Sequence, residues 1–136
     1  MRCSLARYCR FVGDDSGAAA VEFAIVSSAF FTLLFGICYV GIIFFDKASL
    51  QWAVERGSRL AMVNTSVTQT DIAAAVNQYL TDAGLPQATV LYSVSNASGY
   101  PVANIQASFE RSYTLPFVST FDITFSSSTY VPQASP

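Results

Sequence analysis

The stretch GAAAVEFAIVSSAFFTLLFGICYVGIIFF, Gly17 to Phe45, decides the fold. From Phe23 to Phe45 it holds 23 residues without a formal charge. At about 1.5 Å per helical residue this is roughly 35 Å, slightly more than the hydrocarbon core of a bilayer. Fourteen of these residues are Phe, Ile, Leu or Val. Each contributes roughly −0.3 to −0.6 kcal/mol to insertion, which outweighs Ser27, Ser28, Thr32 and the two glycines. A membrane-spanning helix follows. At its upstream edge lie the small residues Gly17, Ala18, Ala19 and Ala20, and then one acid, Glu22, directly before the apolar run.

The residues that precede the run read MRCSLARYCRFVGDDS, with Arg2, Arg7 and Arg10 leading. These arginines favour a cytoplasmic N-terminus, although Lys47, Arg56 and Arg59 beyond the span make the positive-inside count nearly even. A secretory signal peptide needs an apolar core of about 7 to 15 residues followed by an A-x-A-like site. This run is longer, and no such site follows it.

The remainder of the 136 residues suffices for one small water-exposed domain. Net charge is −2 with seven Lys and Arg in all, too few to track a nucleic-acid backbone or an anionic membrane surface. Cys3, Cys9 and Cys38 all lie before or within the span. The downstream domain is therefore held by packing alone. The chain has no histidine, so carboxylates are the only acid/base groups near neutral pH, and a Cys/His metal site is excluded.

After Phe45 the sequence continues DKASLQWAVERGSRLAMV. Leu50, Ala53, Val54, Gly57, Leu60 and Ala61 recur at helical spacing, with Gln51, Glu55, Ser58 and Arg59 on the other face. The helix is thus expected to continue as an amphipathic rod to about Val63, with Glu55 and Arg59 as an i,i+4 pair. Trp52 marks either the membrane interface or the core. Asn64 to Gln69 is a polar break, and Thr70 is the expected cap of a second helix striped by Ile72, Val76, Tyr79, Leu80 and Ala83. Gly84 and Pro86 stop it.

From Ala88 the period changes to two. Val90, Tyr92 and Val94 form one alternating run, and Asn96 to Gly99 a turn. Ala103, Ile105, Ala107 and Phe109 form a second run, which Pro116 interrupts. Phe121, Ile123 and Phe125 form a third, fading into Ser126 to Thr129. The expected fold class is α+β: a long transmembrane-plus-amphipathic N-terminal helix, a second short helix and a small three-stranded antiparallel sheet. Asp71, Asp82, Glu110, Arg111 and Asp122 read as solvated surface charges, and no Gly-rich phosphate loop is present, so neither catalysis nor a cofactor is expected.

Two segments carry a family resemblance. GAAAVEFA, a glycine followed by alanines and a glutamate five positions on, resembles the cleavage region of the type IV pilin superfamily. AVERGSRLA beyond the span resembles the juxtamembrane segment of the TadE-like family, minor pilins of the tight-adherence (Flp) pilus. The resemblance implies a pilin-like organisation, with a cytoplasmic leader (1–17), a transmembrane helix (18–45), an amphipathic continuation (46–66), a periplasmic α+β domain (67–131) and a flexible tail (132–136). It also implies cleavage between Gly17 and Ala18 by a prepilin peptidase, which removes Cys3 and Cys9 and makes Glu22 the fifth residue. An acid in the first turn complements the helix dipole, and a neighbouring subunit's α-amino group can neutralise it at the lipid edge. The resemblance assigns Glu22 that subunit-registry role; the plainer reading is a boundary glutamate snorkelling to water. Ser28, Gly36 and Gly41 are candidate helix-packing positions, though glycine is common in such helices.

The implied partners are the prepilin peptidase, other minor pilins and the major pilin, the inner-membrane assembly platform and membrane lipid, with no nucleic acid. The implied location is the bacterial inner membrane, single-pass, with the domain in the periplasm, and from there possible entry into the pilus used for surface attachment. From a different class comes an alternative: an uncleaved single-pass protein with a small periplasmic binding domain.

Overall fold

A 49-residue helix, α1 (Asp15–Val63), carries the whole apolar run and continues past it. The computed structural model describes residues 15–64, 66–97, 100–114 and 119–133. The leader arginines, Cys3 and Cys9, the last two turn positions (98 and 99), the Pro116 break and the end of the tail lie outside these residues. After α1 come α2 (Gln69–Asp82) and the strands β1 (Thr89–Ala97), β2 (Tyr100–Tyr113) and β3 (Phe121–Pro132). The fold is α+β. By contacts the chain divides into two units, one through Gly41 and one from Ile42 onward.

The first unit is apolar helix whose described side chains are almost all exposed. The second unit has a core. From α1 it takes Leu50, Ala53, Val54 and Ala61, all essentially without exposed surface. Leu60, expected on this stripe, is instead partly exposed, whereas Ser58 is buried and its hydroxyl donates to the Glu55 carbonyl oxygen at 2.7 Å. A serine that bonds the preceding turn satisfies its own hydroxyl, so it can occupy a buried position at little cost.

Helix α2 buries Ile72, Val76 and Leu80 at i, i+4, i+8. Its cap is Thr68, two residues earlier than the expected Thr70. The Thr68 hydroxyl accepts from the Asp71 backbone N–H at 3.3 Å, and the Asp71 carboxylate accepts from the Thr68 N–H at 3.0 Å. This is a reciprocal capping box. The Thr68 hydroxyl and backbone N–H both stabilise the Asp71 anion and hold its carboxyl below the usual range. At the other end Gly84 adopts φ +72°. Its N–H donates to the Thr81 carbonyl oxygen at 3.0 Å, and the Leu85 N–H to that of Leu80 at 2.8 Å. These are the paired bonds of a Schellman stop, which asks for a residue without a Cβ. Gly84→Ala is expected to lower stability by about 1 kcal/mol, read as a drop in the midpoint of chemical unfolding with an unchanged slope.

The strands form an antiparallel meander in the order β1-β2-β3. On β2 the odd positions Ala103, Ile105, Ala107, Phe109 and Tyr113 are buried. Phe109 faces Phe125 across the β2–β3 pair, with ring centroids 5.2 Å apart. The third strand does not fade at the serines. It continues to Pro132 and buries Val131 opposite Ala103. Serine and threonine are poor apolar signals but fit a half-exposed pleat, which is why the alternation is hard to see there. Helix α2 borders β1: Gln69 Nε2 donates to the Val90 carbonyl oxygen at 3.1 Å, and the Asn77 amide bonds both the N–H (2.7 Å) and the C=O (3.2 Å) of Ala88.

Candidate functional site

The residues singled out along the apolar helix share one property, exposure. Gly17, Ala18 and Glu22 all lie within α1 and face outward. Glu22 makes no ion pair with any described residue. Ser28 is exposed and donates its hydroxyl to the Ile25 carbonyl oxygen at 2.8 Å, while Thr32 does the same to Ser28 at 2.8 Å. Such backward bonds let hydroxyls sit in an apolar environment without an external partner. At Gly36 and Gly41 a Cβ would meet nothing within 4 Å. Cys38 is likewise exposed and free. The structure thus leaves these positions on open helix surface and brings none of them together. Large side chains such as Phe23, Ile25, Phe30, Leu33, Ile37 and Phe44 are exposed beside them. A surface this apolar has lipid or other helices as its natural environment.

At the start of the second unit is a cluster that reading by composition missed. Asp46, the first charge after the run, has no exposed surface at all. Arg111 Nη1 donates to both of its carboxylate oxygens, at 2.9 Å each, and the Tyr113 hydroxyl donates to Oδ2. Arg111 is therefore not a solvated surface charge. It stands on the same face of β2 as Phe109 and Tyr113, half-exposed, with its guanidinium carbon 5.8 Å from the Tyr113 ring centroid. The Tyr113 ring stacks on Phe121 at 5.8 Å and meets Phe125 edge-on at 6.4 Å.

An isolated buried carboxylate would cost several kcal/mol, so Asp46 depends on these two partners. Burial is the first cause that pushes the Tyr113 phenol up to about 12; the hydrogen bond to Asp46 and its charge add to it, and Arg111 opposes. The phenol therefore keeps its proton through the physiological range. An aspartate whose oxygens are engaged, an arginine and a protonated phenol make a fastener between α1 and β2. They offer neither a free base nor a nucleophile.

The remaining exposed charges stand apart from the cluster. Glu55 and Arg59 form the expected i,i+4 pair at 2.8 Å. Arg56, Arg59, Leu60, Val63, Ala75 and Gln78 line an open depression between α1 and α2. Trp52 is 60% exposed and so is not a core residue. Among the described residues no group of His, Cys, Asp or Glu is placed to hold a metal ion.

The exposed apolar helix and its amphipathic continuation to Val63 are the arrangement with which known proteins can be compared. Residues 17–59 match the family model of TadE-like proteins. No curated protein and no solved structure matches the chain. The TadE-like match starts at Gly17 and ends at Arg59, so it takes in the apolar run, Asp46 and Gly57, and stops before α2 and the sheet. The match covers 43 of the 136 residues, so what it shows is that this segment is similar to TadE-like proteins. Among the described residues one helix is long and apolar enough to cross a membrane, and it fits a single-pass membrane anchor.

Proposed function

We propose that the chain is a membrane-anchored minor pilin or pseudopilin of a tight-adherence type IV pilus. In this reading it is matured by cleavage between Gly17 and Ala18 and takes part in assembling a fibre used for surface attachment. One observation supports this reading above the others: the TadE-like segment is an exposed apolar helix that opens on Gly17 and places a single acid, Glu22, at its edge. After cleavage the new α-amino group of Ala18 and the Glu22 carboxylate lie one turn apart on a positive helix end, where an acid is favoured. In a side-by-side packing of such helices the amine of one subunit neutralises the carboxylate of the next and sets their stagger. The partners are then the prepilin peptidase, the other pilins and the inner-membrane platform, with the α+β domain in the periplasm.

Intact mass of the chain extracted from host membranes tests the proposal. The expected species begins at Ala18. A full-length species, in cells that mature their major pilin, would overturn processing and leave an uncleaved anchor with a periplasmic binding domain. Glu22→Ala is expected to leave the mass of the processed chain otherwise unchanged while sharply lowering surface fibres counted by electron microscopy.

A further inference from the structure

Asp46 fixes a depth as well as a fold. The uncharged run from Phe23 ends at Phe45, and at roughly 35 Å it is longer than a hydrocarbon core of about 30 Å. Its last residues therefore reach the headgroup layer, which adds roughly 5–7 Å on each side. Asp46 follows Phe45 directly, one helical step of about 1.5 Å further on. Arg111 Nη1 bonds its carboxylate at 2.9 Å, so the guanidinium lies within a side chain's length of that step. Ile43, one turn earlier on the buried stripe, is half-buried while Ile42, Phe44 and Phe45 are exposed. The end of β2 thus stands at headgroup depth, where the anions are lipid phosphates.

Arginine has five N–H donors in a planar fork. Nη1 serves Asp46, and no described residue accepts from Nε or Nη2. The hydrogens of Nε and Nη2 lie side by side on the guanidinium edge away from Nη1, with the spacing that takes two oxygens of one phosphate. The side chain is 37% exposed, so this edge is open to a ligand. Local charge favours an anion. Asp46 offsets Arg111, Lys47 is exposed beside it without a described partner, and Glu110 and Asp122 alternate to the opposite face of the sheet.

We propose that Arg111 holds the phosphate of a membrane phospholipid on Nε and Nη2 while Nη1 holds Asp46, with Lys47 as the neighbouring positive charge. The site takes a single phosphodiester rather than an anionic surface, so the chain's few cations suffice. One guanidinium then joins the buried carboxylate to the bilayer surface and seats the base of the α+β domain on the headgroups. The inference rests on the membrane anchor alone. It requires neither cleavage after Gly17 nor a fibre, so an unprocessed chain leaves it standing.

The test uses the full chain in vesicles of phosphatidylethanolamine and phosphatidylglycerol. With Arg2, Arg7, Arg10, Arg56 and Arg59 changed to lysine, Arg111 carries the only labelled guanidinium. Solid-state NMR is expected to place its central carbon about 4 Å from lipid phosphorus, the separation of a fork on a phosphate, with Nε and Nη2 nearer the phosphorus than Nη1. The unsubstituted chain gives a second reading. Mass spectrometry of the complex released from maltoside micelles is expected to show one added phosphatidylglycerol, and no added diacylglycerol with the same acyl chains. Absence of the phosphorus contact, a contact equally close at all three nitrogens, or one to added inorganic phosphate in place of lipid would each overturn the inference. Equal retention of diacylglycerol would do the same.

Discussion

Asp46→Ala is expected to destabilise the second unit by about 3 kcal/mol. Removal of one partner of a buried ion pair typically costs about 3–5 kcal/mol, and the lower end applies because the Arg111 side chain is 37% exposed and can turn to water. Tyr113 cannot do so, since it is buried among Phe121 and Phe125 and its hydroxyl would lose its acceptor. Chemical unfolding of the full chain in detergent, followed by the strand signal in circular dichroism, checks the magnitude. The pairing can be separated from burial by Asp46→Leu with Arg111→Met and Tyr113→Phe, which removes both charges and the hydroxyl that needs an acceptor and should recover most of the loss. A pH scan gives the sign independently. The folded phenol titrates at about 12 against roughly 10 when unfolded, so its raised value contributes stability that is complete below about pH 10 and lost as pH rises to 12. In Asp46→Ala the hydrogen bond and the charge that raise it are gone, and that alkaline loss should shrink.

The same cluster shows what could be read from the residues alone. The apolar run announces itself by its length without a charge, and the second helix and the first two strands by period, because each of these three buries one face and exposes the other. Asp46 was hidden by its place. Directly after Phe45 it reads as the end of a span, yet Asp46, Leu50, Ala53, Gly57 and Ala61 follow one another at steps of four, three, four and four, all on the buried stripe. Arg111 was hidden in the same way, two residues after Phe109 and two before Tyr113 in strict alternation. Opposite charges that each keep step with an apolar stripe are the signal for a buried pair. Thr68 escaped because two threonines flank Gln69, and only the reach of Asp71 back to residue 68 chooses between them. The candidate positions Gly17, Ala18, Glu22, Ser28, Gly36 and Gly41 form a pattern in the sequence and lie apart on exposed helix surface.

Gly57→Leu is expected to cost about 3 kcal/mol, the upper part of the usual overpacking range, whereas Gly57→Ala should fall within about 1 kcal/mol of the parent. A Cβ at this position would stand 3.0 Å from Val76 Cγ2 and 3.2 Å from Ile72 Cγ2. Both are γ-methyl groups of β-branched residues, stiff about χ1 in a helix, so the adjustment of a few tenths of an ångström falls on the spacing of the two helices. That small strain is offset by replacing a glycine inside a helix, worth about 1 kcal/mol. Leucine adds three further carbons in the same direction, against α2 residues that have no exposed surface. No rotamer change accommodates them, so α2 must move away from α1 and surrender part of the burial of Ile72 and Val76. Comparison of the two variants therefore separates backbone entropy from space. If leucine were tolerated as well as alanine, the close approach of the two helices at Gly57 would not hold, and α2 would be anchored chiefly through Gln69 and Asn77 to β1 and the segment before it.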